Sequence, residues 1–287
     1  YITGFGFEMT DLPANLSMAL GSANLPPLSM ARAFATFANH GYLVEPYFIT
    51  SITDADGNPA YRANPKIVCP ACQAEAPHPE ADLAQEQQAE PAYRPLDIAD
   101  AEGVVDLSMM GTAEREPERQ EPVYAPRVVS EQNAYLVRSM MMDVIQRGTG
   151  VKARVLGRSD LAGKTGTTNE QRDAWFSGYN DAVVTTVWVG FDNHDPLGRN
   201  EVGGRAALPI WIDFMRVALE NIPDRPPAMP PGLAQARINP ETGLLARLDN
   251  PDAIMEIFEV GHLPPMEDAS AGEDPDGTAE EDPYDVY

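Results

Sequence analysis

Cysteine is nearly absent from this chain: only Cys69 and Cys72 occur in 287 residues. A disulfide-stapled scaffold is therefore excluded, and stability has to come from a packed core. The pair itself, in "VCPAC", leaves two readings open, a local disulfide or two free thiols in a loop. A redox motif would open a helix in a thioredoxin-like pattern, and a zinc site needs two further ligands where only His78 is near. Basic residues are scarce as well. Twenty Lys and Arg stand against 44 Asp and Glu, a formal net charge of −24, which excludes nucleic acid as a partner because its phosphates need a basic surface. No apolar run reaches the roughly 20 residues of a spanning helix; the longest candidate, 182–191, is broken by Thr185 and Thr186. The chain opens on Tyr1 without a charged or apolar leader, and we expect it to be the C-terminal part of something longer.

What is present suits a soluble globular fold, with 43% apolar residues. In "PPLSMARAFATFANHGY", Pro26 and Pro27 suit a helix start, and Leu28, Ala31, Phe34, Ala35 and Ala38 share one face up to Gly41. A strand, a turn at Gly57-Asn58 and a second strand follow, to residue 61. From 62 to 122 the composition turns to Pro, Ala, Gln and Glu with little periodicity, which predicts a partly disordered acidic insertion. Order is expected again from 123. Ser130 can cap a helix that has Val137, Met140, Met141 and Val144 on one face and ends near Arg147 and Gly148. Gly148, Thr149 and Gly150 then form a turn. Strands are predicted over 162–168, 173–179 and 183–191. A helix follows with Pro209 near its start and Trp211, Phe214, Met215 and Ala218 on one side. Residues 223–250 read as a small extension, a strand, turn and strand at best. The stretch 251–287, which has no Lys or Arg, reads as a disordered acidic tail.

The chemistry concentrates in "LAGKTGTTNEQRDAWFSGY". A phosphate loop is excluded, since Arg158 stands where its first glycine belongs and the run does not lead into a helix. Taken as three letters, Lys164-Thr165-Gly166 fits a plain structural hairpin. The same triplet is also one of three motifs of penicillin-recognising serine acyl-transferases, and there each residue has a task. An edge strand can pair with an extended peptide. Lys164 would supply positive charge for a terminal carboxylate and for proton transfer. The Thr165 hydroxyl would bond that carboxylate. Gly166 would let the acyl group approach the backbone, and the Thr167 N–H would serve as an oxyanion donor. Thr168 continues the substrate-facing run.

The flanking sequence carries the resemblance further. "VIQRGTGVKARVLGRSDLAGKTGTT", "TTVWVGFDN" and "FGFEMTDLPANLSMALGSANLPPLSMARAFATFANHGYLVEPYFI" resemble the transpeptidase domain of class A penicillin-binding proteins. The acidic insertion and "VCPAC" suggest the 1A type of Gram-negative bacteria. The resemblance covers 1–61 and 123–220 well and 233–248 loosely. It implies an α+β, penicillin-binding/β-lactamase-like fold, an antiparallel sheet flanked by helices, incomplete at its N-terminus and built from 1–61 and 123–222. It also implies a D,D-transpeptidase, with no metal or organic cofactor, that cross-links peptidoglycan stem peptides through a serine acyl-enzyme and is trapped by β-lactams. Its parent would sit on the periplasmic side of the inner membrane, carry a glycosyltransferase acting on lipid II-derived glycan, and offer its acidic segments to an outer-membrane or periplasmic regulator.

The sequence departs from that family in one respect. It contains no Ser-x-x-Lys, so the nucleophilic serine is expected upstream of Tyr1. Ser29 to Arg32 comes nearest, but arginine cannot act as a base. Ser22-Ala23-Asn24 matches a second family motif by letters, and its setting as a helix lead-in marks it as a decoy. The alternative is a non-catalytic module of the same fold that binds peptidoglycan or a partner. His40, His78, His194 and His262 are scattered and suit surface or capping roles. Asp173 suits a turn-fixing role, and Trp175 and Trp188 a packed one.

Overall fold

A computed structural model describes residues 2–21, 23–73 and 121–267. The predicted disorder of the insertion and of the tail's end falls mostly outside these residues. Three strands, β3 (Ala162–Thr167), β4 (Asp173–Tyr179) and β5 (Val184–Gly190), form an antiparallel sheet in the order β3-β4-β5. Two antiparallel pairs accompany it, β1 (Ser51–Thr53) with β2 (Pro59–Arg62), and β6 (Leu233–Ile238) with β7 (Ile254–Glu259). Among the described residues three α-helices complete the set, α1 (Pro27–Ala38), α2 (Glu131–Gln146) and α3 (Gly203–Ala218), with short 3-10 turns between elements. Among the described residues no helix is long and apolar enough to cross a membrane.

Side chains of β4 alternate between the two faces of the sheet. Phe176 points toward α3, where its ring meets Trp211 edge-on at 4.9 Å. Ala207, Leu208, Ile212 and Met215 of α3, with Ile145, Ala153 and Leu161, complete that core. Gly178 is required there, since a Cβ would lie 2.7 Å from the Trp211 ring. Tyr179 points the other way, into a smaller cluster with Ala38, Ala162, Phe34 and Phe37, against which Met141 and Met142 pack. The Tyr179 hydroxyl is buried without a partner among the described residues, and burial pushes the phenol well above its ordinary range.

A polar anchor holds the start of β3. Buried Asp160 accepts from Arg158 Nε at 2.9 Å and Nη2 at 2.6 Å, from Asn180 Nδ2 at 3.1 Å and from the Arg225 N–H at 3.4 Å. Burial works to raise its carboxyl, but the Arg158 guanidinium and Asn180 together hold it below the usual range. Arg138 of α2, also buried, pairs with Asp181 and lies over the Tyr179 ring.

Local signals explain most of these elements. Ser130 Oγ accepts from the Asn133 N–H at 3.2 Å and starts α2, and Pro27 opens α1. Gly41 ends α1 at φ +95°, packed on the Val129 carbonyl so closely that no side chain fits. Leu28 of α1, expected on its buried face, is exposed, and Ala33 is buried instead.

Three further expectations need correction. Helix α3 begins at Gly203, so Pro209 lies inside it, where the missing N–H removes the bond to the Arg205 carbonyl; its buried face is Ala207, Leu208, Trp211, Ile212 and Met215, while Phe214 is 51% exposed. On α2 the deeply buried residues are Ala134, Arg138 and Ile145, and Met140 is 66% exposed. Met140 instead lines a concavity of about 80 Å³ with Leu136, Ser139, Asp143, Glu256 and Ile257, between the helix and β7. Finally, β7 lies inside the stretch expected to be a disordered tail. It pairs with β6 along its whole length, whereas Leu245 contributes an isolated bridge to Ile238.

Cys69 and Cys72 are joined by a disulfide. Just before it the chain is clamped to its own return. Ile67 and Tyr124 form a parallel bridge, with the Ile67 N–H donating to the Val123 carbonyl and the Ala125 N–H to the Ile67 carbonyl, both at 2.9 Å.

Candidate active-site strand

Strand β3 is an edge. Each residue from Ala162 to Thr167 has a partner on β4, and no other strand pairs with it among the described residues. Its first two residues are buried, and from Lys164 onward it reaches solvent. The backbone of 164–167 is therefore extended, with one row of N–H and C=O groups turned away from β4 and paired with no other strand among the described residues, the arrangement an incoming peptide can use.

The side chains of 164–167 divide between the two faces. Lys164, opposite Ser177, is exposed, has no carboxylate partner among the described residues, and donates from Nζ to the Thr165 carbonyl at 2.9 Å. Thr165 and Thr167 share the α3 face. Thr165 Oγ1 lies 2.7 Å from Thr149 Oγ1, and Thr167 Oγ1 accepts from the Gly203 N–H at 3.1 Å. Gly166 leaves room for packing, since a Cβ there would sit 3.1 Å from Trp175 Cβ. Gly203 is required for the same seam, where a Cβ would come within 2.6 Å of the Gly166 carbonyl oxygen. The first turn of α3 thus lies directly against the strand, and only glycine permits that approach.

Thr168 is committed elsewhere. Its Oγ1 donates to Asp173 Oδ2 at 3.2 Å and accepts the Asp173 N–H at 2.8 Å. Asp173 Oδ1 in turn accepts from Trp188 Nε1 at 2.9 Å. These bonds close the turn between β3 and β4, so Thr168 belongs to the scaffold and its hydroxyl proton is not free for a ligand. Asp173 fixes that turn, and His194 Nδ1 lies 3.8 Å from it. Trp175 and Trp188 pack on one another with ring centroids 6.2 Å apart.

The structure thus brings Lys164, Thr165, Gly166 and Thr167 together on one open edge. It adds two neighbours that the motif does not announce, Thr149 and Gly203. The Gly-Thr-Gly turn and the Gly203-Gly204 pair were the available signals, since paired glycines before a helix mark close approach rather than helix interior. Ser22 falls outside the described residues. Asn24 lines a concavity with Thr10, Asp11, Leu12 and Pro13, which includes no residue of β3.

Comparison with known proteins bears on the whole arrangement. Residues 11–216 match the penicillin binding protein transpeptidase domain. The chain is 44% identical over 265 residues to penicillin-binding protein 1A of Pseudomonas aeruginosa, covering 92% of the chain and 31% of that protein. It is 35% identical to penicillin-binding protein 1A of Vibrio cholerae, with the same coverages. The crystal structure of penicillin-binding protein 1A from Haemophilus influenzae superposes with a TM-score of 0.71 at 34% identity, over 92% of this chain and 36% of that one. The chain therefore spans about a third of the length of these relatives.

Proposed function

The chain belongs to the family of penicillin-binding protein transpeptidase domains, and from that premise we propose that β3 is the substrate-gripping wall of a serine D,D-transpeptidase. The observation that carries the reading is the open edge of β3, with Lys164 exposed beside it and without a carboxylate partner among the described residues. In the whole protein a serine outside this chain attacks the D-Ala-D-Ala carbonyl of a stem peptide and releases the terminal D-Ala. It then passes the acyl group to the amine of a neighbouring peptide. Lys164 supplies charge for the terminal carboxylate and for proton transfer, the Thr165 hydroxyl bonds that carboxylate, and the Thr167 N–H faces the developing oxyanion. Gly166 keeps the strand flat enough for the acyl group, and Thr168 braces it from the turn. A β-lactam meets the same groups and stops at the acyl-enzyme. The whole protein would work on the periplasmic side of the inner membrane, alongside a glycosyltransferase domain, and its acidic segments suit a periplasmic or outer-membrane regulator.

The test is labelling of the full-length protein with a fluorescent penicillin. Lys164→Ala should slow acylation by about 10²-fold or more with the thermal transition little changed. Undiminished acylation in that variant would end the role given to Lys164. A full-length protein that carries a serine–lysine motif and still takes no label would point instead to a non-catalytic binding module.

A further inference from the structure

We infer that Thr149 is a positioning residue for Thr165: its hydroxyl donates to Thr165 Oγ1 and leaves the Thr165 proton free for the substrate's carboxylate. The inference rests on the reading of β3 given above and extends it to a residue outside the Lys-Thr-Gly run.

The geometry starts at the end of α2. The Gly148 N–H returns to the Asp143 carbonyl at 3.0 Å and the Gly150 N–H to the Val144 carbonyl at 2.9 Å. A Cβ on Gly148 would lie 2.9 Å from Val144 Cα, and one on Gly150 3.1 Å from the Val144 carbonyl oxygen. The two glycines therefore wind the chain tightly onto the helix, and the residue between them is thrown outward. That residue is Thr149, and its Oγ1 stands 2.7 Å from Thr165 Oγ1. From the other side, a Cβ on Gly204 would lie 2.8 Å from the Thr149 carbonyl oxygen. Thr149 is thus held between α2 and α3, while its hydroxyl meets the strand.

Donor bookkeeping then fixes the direction of the bond once an anion is bound. A threonine hydroxyl has one proton and two lone pairs. If Thr165 gave its proton to Thr149, it would present only lone pairs to a carboxylate, which repels them. With Thr149 as donor, Thr165 accepts on one side and donates on the other, and a chain polarised in this way strengthens each bond. Thr167 offers a parallel on the same face. There the Gly203 N–H can only donate, so Thr167 Oγ1 must accept. Both hydroxyls of the strand are thereby supplied with a donor from behind, one from a backbone amide and one from Thr149.

The experiment uses the full-length protein and the second-order rate of acylation by benzylpenicillin, with the thermal transition measured alongside. Thr149→Val removes the hydroxyl at nearly constant shape and should slow acylation about fivefold, the scale of one neutral hydrogen bond. Thr149→Ser should restore most of that loss. Thr165→Val should slow acylation by itself, and adding Thr149→Val to it should change little more. Should valine disturb the turn and lower the transition, Thr149→Ala carries the same comparison. Wild-type acylation in Thr149→Val, no rescue by serine, or a loss that persists in the Thr165→Val background would each overturn the inference. If Thr165→Val acylates normally, the carboxylate role of Thr165 fails first, and the role of Thr149 fails with it.

Discussion

Strands β3 and β4 lie side by side in one sheet and meet opposite demands. Six of the seven residues of β4 are buried, and its side chains anchor both cores, Phe176 on Trp211 and Tyr179 against α1. β3 is buried only at Ala162 and Gly163, and from Lys164 onward it opens to solvent. One strand holds the domain together, and the other is supported by it so that four residues can reach solvent at an edge, two of them exposed and two half-buried. An exposed edge is ordinarily a hazard. Here a polar anchor at Asp160 and the glycine seam with α3 fix the edge from both ends while leaving its middle unpaired.

This contrast can be broken most severely at the inner strand. Trp211→Ala removes a fully buried ring that contacts Phe176 and donates to the Gly178 carbonyl at 3.3 Å. It should cost about 3–5 kcal/mol, read as a large fall in the denaturation midpoint, with acylation lost only as folding is lost. Asp160→Asn comes next. It removes the charge from the bonds to Arg158 and turns one of the two accepting oxygens into an amide donor; hydrogen bonds to charged groups are each worth about 1.5–3 kcal/mol, so stability at neutral pH should fall. Because the folded carboxyl is held low, its contribution is fully present above the unfolded value of about 3.9. The contribution then fades as pH falls through the lowered folded value. The gap between wild type and Asp160→Asn should therefore be constant from pH 7 to about 5 and shrink below about 4. A gap that persists into acid would remove Asp160 from the anchor. The smallest effect on folding belongs to the edge itself. Gly166→Ala meets Trp175 at 3.1 Å and should cost only about 1 kcal/mol, while acylation falls by a larger factor than that loss would give. Equal losses would mean that the edge serves packing alone.

Much of this was legible from side-chain pattern. Ser130 as a cap, the three central strands to within a residue, Gly41 as a helix stop and the role of Asp173 all follow from local chemistry, and locality is what a sequence displays. Misreadings arose where a distant neighbour decides. Met140 belongs to an apolar stripe, but the C-terminal pair of strands sits beside that stripe and leaves it half covered. Pro209 signals a helix start, yet the helix begins six residues earlier because Gly203 and Gly204 must lie against β3. Residues 254–259 looked too acidic in context to order, and β6 supplies the partner that their own composition does not reveal. In the candidate site, the Lys-Thr-Gly run is visible in the sequence as a motif. Thr149 could not, because its relevance depends on a hydroxyl sixteen positions away, and nothing in Gly-Thr-Gly by itself says what the threonine will face.

The bridge between Ile67 and Tyr124 has a practical corollary for anyone handling this protein. Because Ile67 and Tyr124 are stitched together, the bridge, and not the length of chain between them, sets the distance between the two points where that stretch begins and ends. Doubling the number of flexible residues between two fixed points adds only about 0.6 kcal/mol of closure entropy. Residues inserted between those two points should therefore leave the geometry of β3 unchanged.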